Sequence, residues 1–239
     1  MTLLCLDAGN TRLKWGLREG EHWSARGALG HAACAELVTQ LPTRPERILA
    51  CNVAGANAAA CIEALAAALD APLHWFRSTA ACGGVTNGYD DPARLGADRW
   101  AALIGARARH AGDALVVMAG TATTIDALDA TGRFHGGLIL PGLDLMRDAL
   151  ARRTANLPEA RGRYCEAPTN TDDAIASGIL HATLGAIGRM ARRAAGADFR
   201  VILSGGAAEF LAPHLEWPHL RVDNLVLEGL ARAADAGLW

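Results

Sequence analysis

Apolar residues in this chain come as short runs of strand length, separated by glycine, proline and charged clusters, and as longer stretches where alanine and leucine recur at helical spacing. Leu3-Leu4-Cys5-Leu6 breaks into Asp7-Ala8-Gly9-Asn10-Thr11 before apolar character returns at Leu13, Trp15 and Leu17. An apolar run of strand length before a small-residue break, with alternation after it, predicts a β-hairpin. Glu19-Gly20-Glu21 turns the chain again, and His22 to Gly27 returns as a third strand. A short helix is expected over Ala32 to Gln40, ending before Pro42 and Pro45, then a buried strand from Arg47 to Val53, an alanine-rich helix from Ala56 to Leu69 and a strand at Leu73 to Phe76. Gly83 to Pro92 is turn-forming throughout and reads as an exposed loop, after which a helix runs to about His110.

The second half begins as the first did. Ala114 to Met118 is a buried strand, Ala119 to Thr124 a small-residue turn, and Ile125 to Leu128 the returning strand. Ala8-Gly9 overlays Ala119-Gly120, Asn10 overlays Thr121 and Asp7 overlays Met118, so the chain reads as duplicated, with a phosphate-type turn in each half. Strands at Arg133 to Leu140 and Val201 to Leu203 follow, with helices at Leu143 to Arg153, Ala174 to Ala195 and Leu225 to Ala236. Thr154 to Thr169 reads as polar and irregular; Thr171 or Asp172 is the expected cap of the long helix, and Asn224 that of the last. Strands interleaved with helices in this order give mixed sheets with helices on both faces. Two domains are expected, 1–112 and 113–239.

Composition narrows the function. The 239 residues carry a net charge of −2 with mixed signs, which leaves no basic field for nucleic acid. The longest apolar runs stop short of a membrane span, and the N-terminus opens directly into a strand, so no membrane partner and a cytoplasmic location are expected. Six cysteines without a Cys-x-x-Cys pair point away from zinc and disulfide frameworks and toward buried thiols.

Asp7 is the odd residue in the opening turn. Gly9 and Asn10 tolerate positive φ, which would let several N–H groups converge on an anion, while Thr11 adds a hydroxyl and Arg12 and Lys14 add positive charge. A carboxylate about 4 Å from a phosphate oxygen would be repelled by roughly 4 kcal/mol at an effective dielectric near 20. A divalent cation reverses that sign, so the pattern suits metal-bound polyphosphate, most simply Mg-ATP. The plainer alternative is a hairpin in which Asp7 and Asn10 only satisfy the turn. Asp98 sits in the first turn of its helix, where the helix dipole favours a negative side chain, and Arg99 then reads as a solvated neighbour. Ser204-Gly205-Gly206 between a strand and a helix permits close ligand approach or marks an ordinary tight turn.

Asp7 to Thr11 with Lys14, Gly96-Ala97-Asp98-Arg99, Gly120-Thr121-Ala122-Thr123-Thr124-Ile125-Asp126 and Ser204-Gly205-Gly206, in that order, resemble the type III pantothenate kinases of the actin-like ATPase superfamily. The resemblance implies an α/β, duplicated ribonuclease H-like fold, with two mixed five-stranded sheets flanked by helices around a central cleft. It implies transfer of the ATP γ-phosphoryl to pantothenate, the first step of coenzyme A synthesis. By that likeness Asp7, Ala8, Gly9, Asn10, Thr11, Arg12, Leu13 and Lys14 form the first phosphate loop, Thr121 contacts ATP from the second, and Gly205 and Gly206 belong to the adenosine loop. Asp98 is the proton acceptor, and Tyr89, Gly96, Ala97, Asp98, Arg99 and Thr171 bind pantothenate. Mg2+ is expected with ATP, held in part by Asp7, and family members are homodimers. Met118 departs from the family, which carries aspartate there beside a K+ or NH4+ ion; a thioether is a poor ligand for a hard cation, so that site is expected to be absent or rebuilt. A catalytically silent ATP-binding paralogue with a regulatory role is the alternative, and the retained Asp98-Arg99 pair argues against it.

Overall fold

The computed structural model describes residues 2–153, 162–194, 196 and 198–237. Of the stretch expected to be irregular, 162–169 is so, and 154–161 lies outside the described residues. The chain divides into two compact units, residues 1–111 with 132–134 and 224–239, and residues 112–131 with 135–223.

In the first unit β1 (Thr2–Ala8), β2 (Leu13–Glu19) and β3 (His22–Leu29) form an antiparallel meander. The helix expected at Ala32 to Gln40 is a 3-10 turn, His31–Glu36, that tightens into the single-turn α1 (Leu37–Gln40). Next come β4 (Arg47–Asn52), α2 (Ala56–Leu69) and β5 (Leu73–Trp75), and the sheet order is β3-β2-β1-β4-β5, with β1, β4 and β5 parallel. β1 is the central strand and Leu3 to Ala8 are all buried, which is why its sequence is an unbroken apolar run rather than an alternation. One face of this sheet packs Leu4, Leu6, Leu13 and Ile48 against Ile62 and Leu65 of α2.

A two-residue hairpin, β6 (Ala81–Cys82) and β7 (Val85–Thr86), leads to α3 (Ala97–Arg109). The loop from 83 to 92 is anchored, contrary to its turn-rich composition: Val85 and Asn87 are buried, and Asn87 Nδ2 donates to Ser78 Oγ at 2.9 Å while its Oδ1 accepts from the Tyr89 N–H at 3.0 Å. A buried amide with both ends bonded fixes the loop that carries Tyr89.

The second unit repeats the plan with β8 (Ala114–Ala119), β9 (Ala122–Leu128), β10 (Phe134–Pro141), α4 (Leu143–Arg153), α5 (Thr171–Ala194), β11 (Arg200–Ser204), α6 (Ala208–Leu211) and β12 (His219–Arg221), in the sheet order β10-β9-β8-β11-β12. The cap of α5 is Asn170 rather than Thr171 or Asp172: the Asp173 N–H donates to Asn170 Oδ1 at 2.9 Å and Asn170 Nδ2 returns a bond to Asp173 Oδ2 at 2.8 Å. At 24 residues α5 is long and apolar enough by length and composition to cross a membrane, yet its Ile175, Ile179, Leu180, Ile187 and Ala191 are buried in the core of this unit.

The last helix, α7 (Leu225–Asp235), groups with the first unit although chain order puts it in the second half. It packs on α3, and Arg18 of β2 bonds Asp235 through both guanidinium nitrogens at 2.7 and 3.0 Å. Asn224 precedes α7 in a left-handed conformation, φ 54°, and makes no side-chain capping bond, so it acts through its backbone turn.

Candidate active site

The first unit concentrates its polar chemistry where β1 ends. Asp7 is 6% exposed, lies directly across from Lys14 on β2 and from Cys51 on β4, and accepts from the Cys51 thiol at 3.4 Å. Burial pushes its carboxyl up to about 6, Lys14 pulls it back down, and the charge of Asp98 raises it again. Asp7 and Asp98, 91 positions apart in sequence, therefore stand close enough to sense one another. Ala8 and Leu13 close the ladder, leaving Gly9 to Arg12 as the turn, with Asn10, Thr11 and Arg12 exposed. Neither Gly9 nor Asn10 takes a positive φ, contrary to expectation. Four residues suffice to reverse the chain without a left-handed residue.

Asp98 is the second residue of α3, half-buried, with Oδ1 held by the Arg99 N–H at 2.8 Å. Gly96 caps this helix, and a Cβ there would stand 2.8 Å from Asp98 Oδ1, so the glycine keeps room for the carboxylate. Ala97 is the first residue of the helix. Arg99 is not a solvated neighbour: it is 5% exposed and donates to Tyr89 Oη at 2.8 Å. Its guanidinium lies over the Tyr89 ring at 5.6 Å and the Phe134 ring at 6.0 Å, and those rings stack at 5.6 Å. Phe134 was invisible in sequence, because a lone aromatic opening a strand reads as core.

In the second unit Gly120 and Thr121 form the tight link between β8 and β9, and the Gly142 N–H donates to the Thr121 carbonyl at 2.8 Å. Gly205 has φ 103°, and a Cβ on it would lie 2.3 Å from the Ala119 carbonyl; only glycine permits that approach. The glycine turn is thus seated against the residue before Gly120, with the Ala207 N–H donating to the same carbonyl at 3.1 Å, while Gly206 faces open space. Met118 stands one residue before the end of β8, as Asp7 does in β1, between Thr124 of β9 and Ser204 of β11. Thr171, exposed, opens α5 in this unit. Thus Asp7 to Lys14, Tyr89 and Gly96 to Arg99 belong to one unit, and Met118, Thr121, Thr171, Gly205 and Gly206 to the other.

The donor set suits a divalent cation that arrives with its nucleotide. No group of three or more His, Cys, Asp or Glu side chains positioned to hold a metal occurs among the described residues, whereas Mg2+ needs only one or two carboxylates beside substrate phosphates. Asp7, a carboxylate whose charge burial disfavours and a cation would offset, could serve as such a donor. Met118 does not fit a hard monovalent ion; Thr124, opposite it, has a buried hydroxyl without a hydrogen-bond partner among the described residues.

A family model described as type III pantothenate kinase matches residues 3–193. The type III pantothenate kinase of Aromatoleum aromaticum is 55% identical over 237 residues, covering 97% of this chain and 97% of its own. Among solved structures, one from Campylobacter jejuni, named for the Baf family of transcriptional activators, superposes with a TM-score of 0.68 at 20% identity over 98% of both chains. One from Sinorhizobium meliloti, named as a 2-dehydro-3-deoxygalactonokinase, gives 0.62 at 17% identity, also over 98% of both. At such identities these two speak for the fold alone, the duplicated ribonuclease H-like architecture of actin-like ATPases and sugar kinases. The family model spans most of the chain and the curated relative nearly all of it, and on those grounds the chain belongs to the type III pantothenate kinase family.

Proposed function

We propose that the family's reaction, transfer of the ATP γ-phosphoryl to the hydroxyl of pantothenate, is carried here by Asp98 as proton acceptor and by the turn from Asp7 to Lys14 as the phosphate grip. The carrying observation is electrostatic: the Asp98 carboxylate is near enough to Asp7 to raise its pKa, so acceptor and grip share one locality in the first unit. Asp98 Oδ1 is held by the Arg99 N–H, and Oδ2 is the oxygen to receive the proton. A carboxylate is a weak base toward an alcohol, so the proton moves late, as the new phosphorus–oxygen bond forms and the bond to ADP breaks. Position therefore matters more than basicity. Lys14 and the turn amides, with Thr121 from the second loop, neutralise charge on the phosphates. Mg2+ bound with ATP would be held by Asp7, directly or through water, and supplies further neutralisation of the triphosphate. Gly205 and Gly206 take the nucleoside end.

Arg99, aligned by Tyr89 and Phe134, offers its fork to the pantothenate carboxylate, and Gly96, Ala97 and Thr171 are further contacts for that substrate. The enzyme works in the cytoplasm as a homodimer. Support for a partner surface comes from Leu138 and Ile139 on β10 and Leu145 on α4, of which Ile139 is 65% exposed on an edge strand.

Asp98→Asn tests the central assignment, with product followed by mass in Mg-ATP and pantothenate. Turnover should fall by about 100-fold or more with ATP binding retained. Unchanged turnover removes Asp98 from the role of acceptor.

A further inference from the structure

We propose that His31 is a positioning residue for ATP, acting through a hydrogen bond that sets the peptide at the head of the first phosphate turn. This rests on the reading that residues 7–14 grip the phosphates. The His31 imidazole Nε2 lies 2.8 Å from the Gly9 carbonyl oxygen. A carbonyl only accepts, so Nε2 carries the proton, and both the neutral Nε2–H tautomer and the imidazolium satisfy the contact.

Gly9 is the first residue beyond the β1–β2 ladder, whose last pair is Ala8 with Leu13. The ladder does not extend past that pair, and no left-handed residue locks Gly9 or Asn10. The peptide between Gly9 and Asn10 is planar and trans, so its C=O and N–H point in opposite directions. Holding the Gly9 carbonyl toward His31 directs the Asn10 N–H the other way. One bond thus chooses which side of the turn presents a donor, and removes a peptide flip that would otherwise have to be frozen when an anion binds.

The residue that holds is itself held. The half-buried His31 opens the 3-10 turn, the Cys61 thiol of α2 donates to its carbonyl at 3.3 Å, and the Cys34 thiol donates to the Cys61 carbonyl at 3.5 Å. Cys34 is 1% exposed, so this bracing is packed into the core against α2. The route runs from a rigid helix, through His31, to the one turn that needs orienting.

The test compares His31→Ala, His31→Gln and Lys14→Ala in the full-length kinase, measuring KM for ATP, KM for pantothenate, kcat and melting temperature. Glutamine places an amide donor near the position of Nε2, and alanine places none. His31→Ala should raise KM for ATP about fivefold to tenfold, the scale of one neutral hydrogen bond, with KM for pantothenate unchanged. His31→Gln should recover most of that loss at a melting temperature equal to that of His31→Ala. If His31→Ala does not fold, His31→Asn, too short to reach Gly9, takes its place. An unchanged KM for ATP, a parallel rise in both KM values, or no recovery with glutamine overturns the proposal. Lys14→Ala separates the two levels. If it raises KM for ATP while His31→Ala does not, only the latch fails; if it leaves KM for ATP unchanged, the phosphate-grip reading fails and the latch with it.

Discussion

Asp7 carries the sharpest conflict between stability and use. Its carboxyl titrates near 3.8 in an open chain and near 6 in the fold, because burial outweighs Lys14 and Cys51. Between those values the native state holds more protons than the unfolded one, so stability falls as pH rises through that window and stays lower above it. Two pKa units correspond to about 3 kcal/mol. Asp7→Asn should therefore melt at a higher temperature than the parent at pH 7.5 without nucleotide or metal, the gap closing toward pH 4, while turnover is lost. A lower melting temperature at pH 7.5 would contradict the burial account. Met118 supports a second prediction: with no hard donor at that position, turnover in sodium and potassium buffers should agree within about twofold. A large potassium stimulation, with an ion beside residue 118, would refute it. At this scale Asp7 and the glycine turns were legible, because a carboxylate at a strand end beside a small-residue turn is anomalous on its face, whereas Asp98, which its helix dipole favours, stood out only through the family resemblance. The Cys51, His31 and Phe134 contacts were not, since each joins residues brought together only by sheet pairing or packing, and no local pattern encodes that.

Helices were the more readable elements, and α2 and α4 run over the residues their alanine and leucine spacing marks out, Ala56–Leu69 and Leu143–Arg153. The segment from Ala32 to Gln40 read as one short helix because turns of 3-10 share its composition, and β12 was missed because three exposed residues carry no alternation. The crossing of α3 and α7 is set by glycine. A Cβ on Gly229 would lie 1.7 Å from the Ala101 carbonyl, and one on Gly105 2.5 Å from that of Leu225. Gly229→Ala must push the helices apart and should cost about 2 kcal/mol or more in urea unfolding. Gly185→Ala on α5, where an added methyl meets nothing within 4 Å, should be neutral or stabilising by up to about 1 kcal/mol. Equal effects at the two sites would mean that helix propensity, not the close approach, decides.

Across the whole molecule the duplication is visible in both sequence and topology: each sheet has three strands in meander order followed by two added in parallel beyond the first, and Asp7 and Met118 hold equivalent places. Chain order alone misassigns the last segment, since nothing local to residues 224–239 says which half they cover. Their apolar residues are paired with a surface formed more than a hundred positions earlier. Leu225, Val226 and Leu230 are buried against the first unit, where α7 meets α3, β1, β2 and β4. A fragment of residues 1–111 therefore lacks the helix that Ala101 and Gly105 of α3 pack against and the acceptor for Arg18. Expressed alone, it should bind a hydrophobic dye and unfold without a cooperative transition. Joining residues 224–239 to its end through a flexible linker should restore a sharp melt, because closing even a long loop adds only about 0.6 kcal/mol per doubling, less than the apolar burial it recovers. A cooperative melt of the bare fragment at the parent's temperature would show that the helix merely rests on this unit.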